Sequence, residues 1–192
     1  MTFDEKDLSL IIEATRFAAE KHANQRRRNK EASPYINHPI TVAEILWQIG
    51  HVRDISVLVA AILHDTIEDT ETTPEEIEQL FGPKVLSLVQ EVSDDKSKPK
   101  MERKRLQIEN APHKSPGAKL IKLGDKISNI HDITDSPPAS WSLQRKLDYL
   151  DWTEKVIAGV RGTNAALEAH YDQLLNEARA ELLAERHQNG HK

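Results

Sequence analysis

Apolar residues recur along most of the chain at intervals of three and four positions, the spacing that places them on one face of an α-helix. The first such segment is an amphipathic helix whose face is formed by Leu8, Ile11, Ile12, Thr15, Ala18, Ala19 and His22. No segment alternates apolar and polar residues convincingly, so the pattern predicts no β-strand. We therefore predict an all-α protein of about eight to ten helices.

Capping residues and prolines mark where the predicted helices begin and end. Asp54 is a predicted N-cap for the most apolar helix. Thr73-Pro74-Glu75-Glu76 combines a capping box with proline at the first helical position, and Gly82 ends that short helix. Ser115-Pro116 starts another helix. Ser136-Pro137-Pro138 interrupts the chain before the last two predicted helices.

Length and composition restrict the function classes. A chain of 192 residues fits one domain, predicted over 1–192, with a core at about 8–162 and a C-terminal helix at about 163–187. A formal net charge of −5 argues against a nucleic-acid partner. No apolar run approaches the roughly 20 residues of a membrane span, and the start lacks a signal-peptide pattern, so no membrane partner and a cytoplasmic location are expected. The absence of cysteine excludes thiolate chemistry, which leaves nine histidines and the carboxylates.

The most informative stretch is Leu63-His64-Asp65-Thr66-Ile67-Glu68-Asp69, at the end of the most apolar predicted helix. On a continuous helix His64 would face Glu68, because residues four apart share one face. Asp65 would face Asp69 in the same way. Burying such groups without partners costs several kcal/mol each. A divalent cation would neutralise the carboxylates and accept neutral imidazole, so the stretch favours a metal site.

Two other segments offer matching groups. His38 stands in Tyr35-Ile36-Asn37-His38-Pro39, at a predicted helix start, where the alternative is a capping or surface histidine. Asp125 stands in Lys122-Leu123-Gly124-Asp125-Lys126, within an apolar helical stretch, where the alternative is a salt bridge to a neighbouring lysine. The order histidine, histidine-aspartate, aspartate indicates a metal-dependent hydrolase.

This order of residues on helices resembles the HD-domain metal-dependent phosphohydrolases. Within that superfamily it is most similar to the small alarmone hydrolases, the stand-alone relatives of the hydrolase domain of RelA/SpoT proteins. The resemblance covers about 14–162 and is carried by QRRRNKEASPYINHPI, ILHDTIEDT, FGPKVLSLVQEVSDDK, KMERKRLQ and SPGAKLIKLGDKISN. It implies a single HD-domain helical bundle that removes pyrophosphate from the 3′ position of (p)ppGpp, the alarmone of the stringent response, to give GDP or GTP.

The same resemblance implies the roles of the candidate site residues. It assigns one manganese(II) ion to the ligands His38, His64, Asp65 and Asp125. It assigns Glu68 and Asp69 to orienting and deprotonating the attacking water, with N-capping of the next helix as the alternative. Gly124 departs from the alanine usual before the metal aspartate, and Ser128 and His131 also differ from the common pattern.

Candidate contacts to a small-molecule nucleotide substrate come from a basic loop and from two later helices. The loop lies within the polar, non-periodic segment from Gln25 to Asn37, where Arg26 to Arg28 form a run that could also be a solvated patch. The residues that the resemblance places near the nucleotide are Arg27, Arg28, Asn129, Arg145 and Tyr149.

Two alternative functions remain open at this stage. One is a related nucleotide phosphohydrolase acting on (p)ppApp or NADPH. The other is a non-catalytic HD module that binds an alarmone as a sensor, which the presence of every ligand and of the Glu-Asp pair disfavours. The sequence distinguishes neither the preferred base nor the oligomeric state.

Overall fold

The computed structural model describes residues 4–189, and the terminal positions 1–3 and 190–192 of the predicted 1–192 domain lie outside the described residues. In the described part the chain forms helices and connecting loops without a β-strand. The helices are α1 (Glu5–Lys21), α2 (Asn37–Gln48), α3 (Ile55–Leu63), α4 (Thr66–Asp69), α5 (Pro74–Phe81), α6 (Pro83–Val92), α7 (Lys100–Asn110), α8 (Pro116–Asp135), α9 (Leu143–Ala158) and α10 (Ala165–Asn189). The predicted all-α fold is confirmed. No described helix combines the length and the apolarity needed to cross a membrane.

Helix α3 lies at the centre of the fold. Its sequence is apolar on all sides, and every residue from Val57 to Leu63 is buried. A helix of this kind has to be covered on all faces, and α1, α2, α6 and α8 pack around it. Asp54 caps its start as predicted, because its side chain accepts a hydrogen bond from the backbone N–H of Ser56 at 3.0 Å.

Helix α8 is the second buried element and packs against α2, α6 and α10. It crosses α2 closely at Gly124, where a Cβ would stand 3.1 Å from side-chain atoms of both Val42 and Leu46. The missing side chain therefore lets the two backbones approach. This approach places Asp125 of α8 beside His38 of α2.

Most predicted helix boundaries are confirmed. The capping box at Thr73 and Glu76 forms with both of its hydrogen bonds. Gly82 ends α5 with a positive φ of 86°, a conformation that glycine adopts without steric cost. Ser115 caps α8 through the N–H of Ala118.

The prediction of a continuous helix through His64 and Asp69 is wrong. Helix α3 ends at Leu63, and a turn at His64 and Asp65 separates it from the single turn α4. Side chains cause the break, because Thr66 Oγ1 donates to the Leu63 carbonyl and His64 Nδ1 donates to the Ala61 carbonyl. These bonds replace the backbone N–H groups that would continue the helix.

Candidate active site

Two histidines and one aspartate converge where α2 begins and α3 ends. The ligand atoms of His38, His64 and Asp65 all lie within 4.8 Å of one another. His64 Nε2 is 2.9 Å from Asp65 Oδ2, and His38 Nε2 is 3.8 Å from the same oxygen. Both imidazoles are buried. The predicted grouping of these three residues is therefore present in the fold.

In both histidines the ring nitrogen that points away from the cluster, Nδ1, contacts another group of the protein. His64 Nδ1 donates to the Ala61 carbonyl at 2.8 Å, and His38 Nδ1 is 3.0 Å from Ser128 Oγ. Because a carbonyl only accepts, His64 carries a proton on Nδ1, so in the neutral ring the lone pair of Nε2 faces the carboxylate of Asp65. A metal ion between these two acceptors would satisfy both, as would a second proton on the ring. The donor set and its outer hydrogen bonds thus fit a divalent metal ion.

Asp125 lies at the edge of this cluster. Its Oδ1 is 3.3 Å from His38 Nε2, but it is not among the three residues whose ligand atoms are mutually close. Lys126 donates to its Oδ2 at 2.9 Å, and Asn129 donates to its Oδ1 at 2.5 Å. The salt bridge that the sequence left open as an alternative is therefore formed, and the carboxylate also faces a candidate ligand.

Glu68 and Asp69 lie on α4, one turn beyond the His64-Asp65 pair. Glu68 Oε2 accepts the backbone N–H of Asp94 at 2.8 Å, and its Oε1 is 3.5 Å from Arg103 Nη1. Burial is the main cause that raises the pKa of Glu68. Asp69 forms an ion pair with Lys96. The capping alternative does not hold, because Thr73 caps the next helix.

A cavity of about 380 Å³ opens beside Asp69, a volume suited to a small molecule. Its walls include four of the predicted substrate contacts and Asp69, together with aromatic side chains: Arg27, Arg28, Tyr35, Asp69, Asn129, Trp141 and Tyr149. Arg145 lies outside this wall, with its guanidinium 4.5 Å from the Trp141 ring centroid. The predicted nucleotide contacts are thus gathered around one cavity or next to it.

Arg27 and Asn129 connect this cavity to the metal cluster. Arg27 donates to Asn129 Oδ1 at 2.9 Å and forms an ion pair with Asp132. Asn129 in turn donates to Asp125. Because Arg27 also lies 5.4 Å from the Tyr35 ring centroid, its guanidinium is fixed at the cavity wall. The solvated-patch alternative therefore does not describe Arg27.

Cationic side chains from three segments gather at the same side. Burial lowers the pKa of Lys100, and the neighbouring charges of Arg145, Arg28 and Arg103 lower it further. Lys104 does not extend into solvent, since its ammonium lies 4.5 Å from the ring centroid of Trp152. Bringing like charges together costs electrostatic free energy, which an anionic ligand would offset.

Four residues around Glu68 and Asp69 were not singled out from the sequence. Asp94, Lys96 and Arg103 reach Glu68 or Asp69 from the α6–α7 connection and from α7, and Gln25 donates to Asp69 at 3.1 Å. Their types and spacing carry no local signal, because each contact joins residues that are distant in the chain.

Comparison with known proteins gives one consistent result. The HD domain family model matches residues 14–149. The chain is 55% identical over 168 residues to the guanosine-3′,5′-bis(diphosphate) 3′-pyrophosphohydrolase MESH1 of Xenopus tropicalis, covering 88% of this chain and 94% of that protein. It is 52% identical over 167 residues to MESH1 of Homo sapiens, covering 87% and 93%. A solved structure of a metazoan ortholog of SpoT that hydrolyses ppGpp superposes with a TM-score of 0.87 at 45% identity, covering 92% of this chain and 98% of the other.

Proposed function

The chain belongs to the HD domain family and, within it, to the MESH1-type alarmone hydrolases, and from this premise we propose that it is a guanosine-3′,5′-bis(diphosphate) 3′-pyrophosphohydrolase. It acts on ppGpp and releases GDP and pyrophosphate. The observation that carries the proposal is the placement of two buried histidines and a half-buried aspartate beside a cavity with cationic walls. This placement suits a substrate whose hydrolysis uses a metal ion and whose negative phosphates have to be balanced by cationic side chains.

We propose one manganese(II) ion as the cofactor, held by His38, His64, Asp65 and Asp125. Two imidazoles and two carboxylates form a borderline donor set that suits this ion and leaves positions for other oxygens. Bound there, the ion supplies Lewis acidity and an acidified water. The outer contacts of His38 and His64 support this assignment, since both leave Nε2 facing the cluster.

The chain's own carboxylates supply the proton acceptor. Glu68 or Asp69 takes a proton from the water that attacks the phosphorus attached to the ribose 3′ oxygen. The new bond joins the water oxygen to phosphorus, the bond from phosphorus to the 3′ oxygen breaks, and that oxygen takes up a proton to become the 3′ hydroxyl of GDP. The raised pKa of Glu68 supports this role, because a base is most effective when its pKa approaches the working pH.

The cavity walls bind the nucleotide. Arg27 and Asn129 are in position to contact the base and ribose, and Tyr149 adds an aromatic surface. Arg28 and Arg145, next to Lys100, provide positive charge for the phosphates. A nucleotide substrate and a chain without cysteine support a cytoplasmic location.

A substrate panel tests this function. The metal-free protein is reloaded with manganese and offered ppGpp, pppGpp, ppApp, NADPH and a generic phosphodiester, with products resolved by chromatography. We expect GDP and pyrophosphate from ppGpp. Faster turnover of ppApp or NADPH would favour the related phosphohydrolase. Binding of an alarmone without turnover of any compound would favour the sensor module.

A further inference from the structure

His22 is connected to Asp69 through one intervening side chain. Its Nδ1 is 2.6 Å from Gln25 Oε1, and Gln25 Nε2 is 3.1 Å from Asp69 Oδ2. A carboxylate only accepts hydrogen bonds, so the amide nitrogen of Gln25 faces Asp69 and its oxygen faces His22. His22 Nδ1 is consequently the donor of the first bond. The two bonds run in one direction and end on Asp69.

The ring of His22 is held in place without reaching the cavity. It is 2% exposed and lies against the Tyr35 ring, with centroids 4.9 Å apart. The hydroxyl of Tyr35 donates to Asp65 at 2.6 Å, so this ring is also fixed. His22 is absent from the cavity walls and is too buried to touch a nucleotide. Any influence on the reaction has to pass through its neighbours.

Packing alone does not explain why a histidine stands at this position, because its second ring nitrogen is left unpaired in the described part of the chain. His22 Nε2 is buried and has no hydrogen-bond partner among the described residues. An apolar ring of the same shape would fill this space without burying an unpaired acceptor, which is costly. The imidazole is therefore explained by what its Nδ1–H does.

We propose that His22 is a positioning residue for the hydrolysis, which rests on the proposed function. By donating to Gln25 Oε1, it fixes the amide so that the NH₂ group, and not the oxygen, faces Asp69. Gln25 then holds one carboxylate oxygen while Lys96 holds the other. Without His22 the amide is free to turn, and Asp69 loses the orientation in which it acts, with Glu68, on the attacking water.

Two substitutions separate the donor role from ring packing. His22→Phe keeps a ring against Tyr35 and removes the donor. His22→Asn loses the ring and places an amide nitrogen near the former Nδ1. A positioning role predicts that His22→Phe lowers kcat for ppGpp about tenfold with KM and metal content unchanged, whereas His22→Asn keeps kcat within about twofold. A packing role predicts the reverse order, and that result would overturn the inference.

His170 offers a matched control, because its Nε2 is also buried without a hydrogen-bond partner in the described part of the chain and its ring lies beside His131 on the α8–α10 side. His170→Phe should leave kcat unchanged. In an Asp69→Asn background, His22→Phe should add no further loss of kcat, and a full additional loss would overturn the inference.

Two further outcomes distinguish a failure of this inference from a failure of the proposed function. If the unsubstituted protein fails to hydrolyse ppGpp, the proposed function fails, whereas an active protein in which His22→Phe retains full kcat overturns only the role of His22. Should neither His22 variant fold, Gln25→Leu takes their place. It removes the same link and should lower kcat about tenfold, and an unchanged kcat would contradict the proposal.

Discussion

Glu68 and Asp69 allow the proton acceptor to be separated from the metal ligands. The double variant Glu68→Gln, Asp69→Asn keeps side-chain shape and still accepts the N–H of Asp94, but it removes both bases. We expect it to fold, to retain manganese and to bind ppGpp, while kcat falls roughly 100-fold or more, the usual contribution of a general base. Metal analysis, ligand binding and steady-state kinetics measure the three properties.

Exposed Glu71, two positions further on, provides the control, and Glu71→Gln should leave kcat unchanged. Loss of manganese from the double variant would show that the pair ligates the metal. Near-normal kcat with metal retained would place the base elsewhere.

Arg27 is the cationic wall residue with the most complete set of protein contacts. Its ion pair with Asp132 and its bond to Asn129 fix the guanidinium before substrate arrives. It should then contact the nucleotide equally in the ground and transition states. We expect Arg27→Ala to raise KM roughly tenfold, which corresponds to about 1.4 kcal/mol, with little change in kcat.

Lys30 gives the matched control for this experiment. It is an exposed cation of the same loop and is not part of the cavity wall. Lys30→Ala should leave KM unchanged. An unchanged KM in Arg27→Ala as well would show that Arg27 does not contribute to nucleotide binding.

The contact between α2 and α8 sets the distance between His38 and Asp125. At Gly124, a valine side chain would extend beyond a Cβ that already stands 3.1 Å from Val42 and Leu46. We expect Gly124→Val to lower the free energy of unfolding by about 1–3 kcal/mol, the typical cost of overpacking, and to weaken manganese binding by moving the helices apart. Chemical denaturation and a metal titration measure the two effects.

Gly124→Ala is the milder comparison at this position. Alanine gains about 1 kcal/mol of helix propensity over glycine, which offsets the small shift required of the neighbouring side chains. The unfolding free energy should change by less than about 1 kcal/mol, with metal binding retained. Equal metal affinity in the valine variant would show that this crossing does not position the ligands.

Most helix starts could be predicted because their causes are local. Asp54, Thr73 and Ser115 each bond to a backbone N–H two or three positions ahead, so the pattern is contained in a few letters. The break after Leu63 was missed because its hydrogen bonds compete with an apolar pattern that favours continuation. The Thr66 hydroxyl that helps to end α3 gives no signal of its own in that pattern.

Only the residues of the candidate site that stand in short sequence motifs could be predicted. His38, His64 and Asp65 stand in short motifs and do come together. The bonds from Gln25 to Asp69 and from Asp94 to Glu68 join residues 44 and 26 positions apart, and such pairs are set by helix packing. A single sequence contains no direct record of that packing, so the supporting residues emerge only from the fold.

Charge is distributed unevenly over the whole molecule. The net charge of −5 argued against a nucleic-acid partner, yet burial and the nearby charges of Arg145, Arg28 and Arg103 lower the pKa of Lys100. Three segments supply these four cations, so the summed charge of the chain conceals them. Both signs of charge meet at one cavity, whose wall includes Arg27 and Arg28 as well as Asp69 and Asp132. Cations in this wall suit a substrate that carries phosphates.

Metal binding should stabilise the whole fold, because the cluster joins the start of α2 to the end of α3. A ligand that binds only the folded state at 100 times its Kd adds about 2.7 kcal/mol. For a chain of this size that corresponds to a rise in Tm of roughly 5–10 °C. We therefore expect chelation to abolish hydrolysis and lower Tm, and manganese to restore both. His64→Ala should lose both responses, whereas exposed His113→Ala should keep them. Full activity in excess chelator would contradict the metal assignment, and restored activity without a Tm change would show that the ion does not bridge these helices.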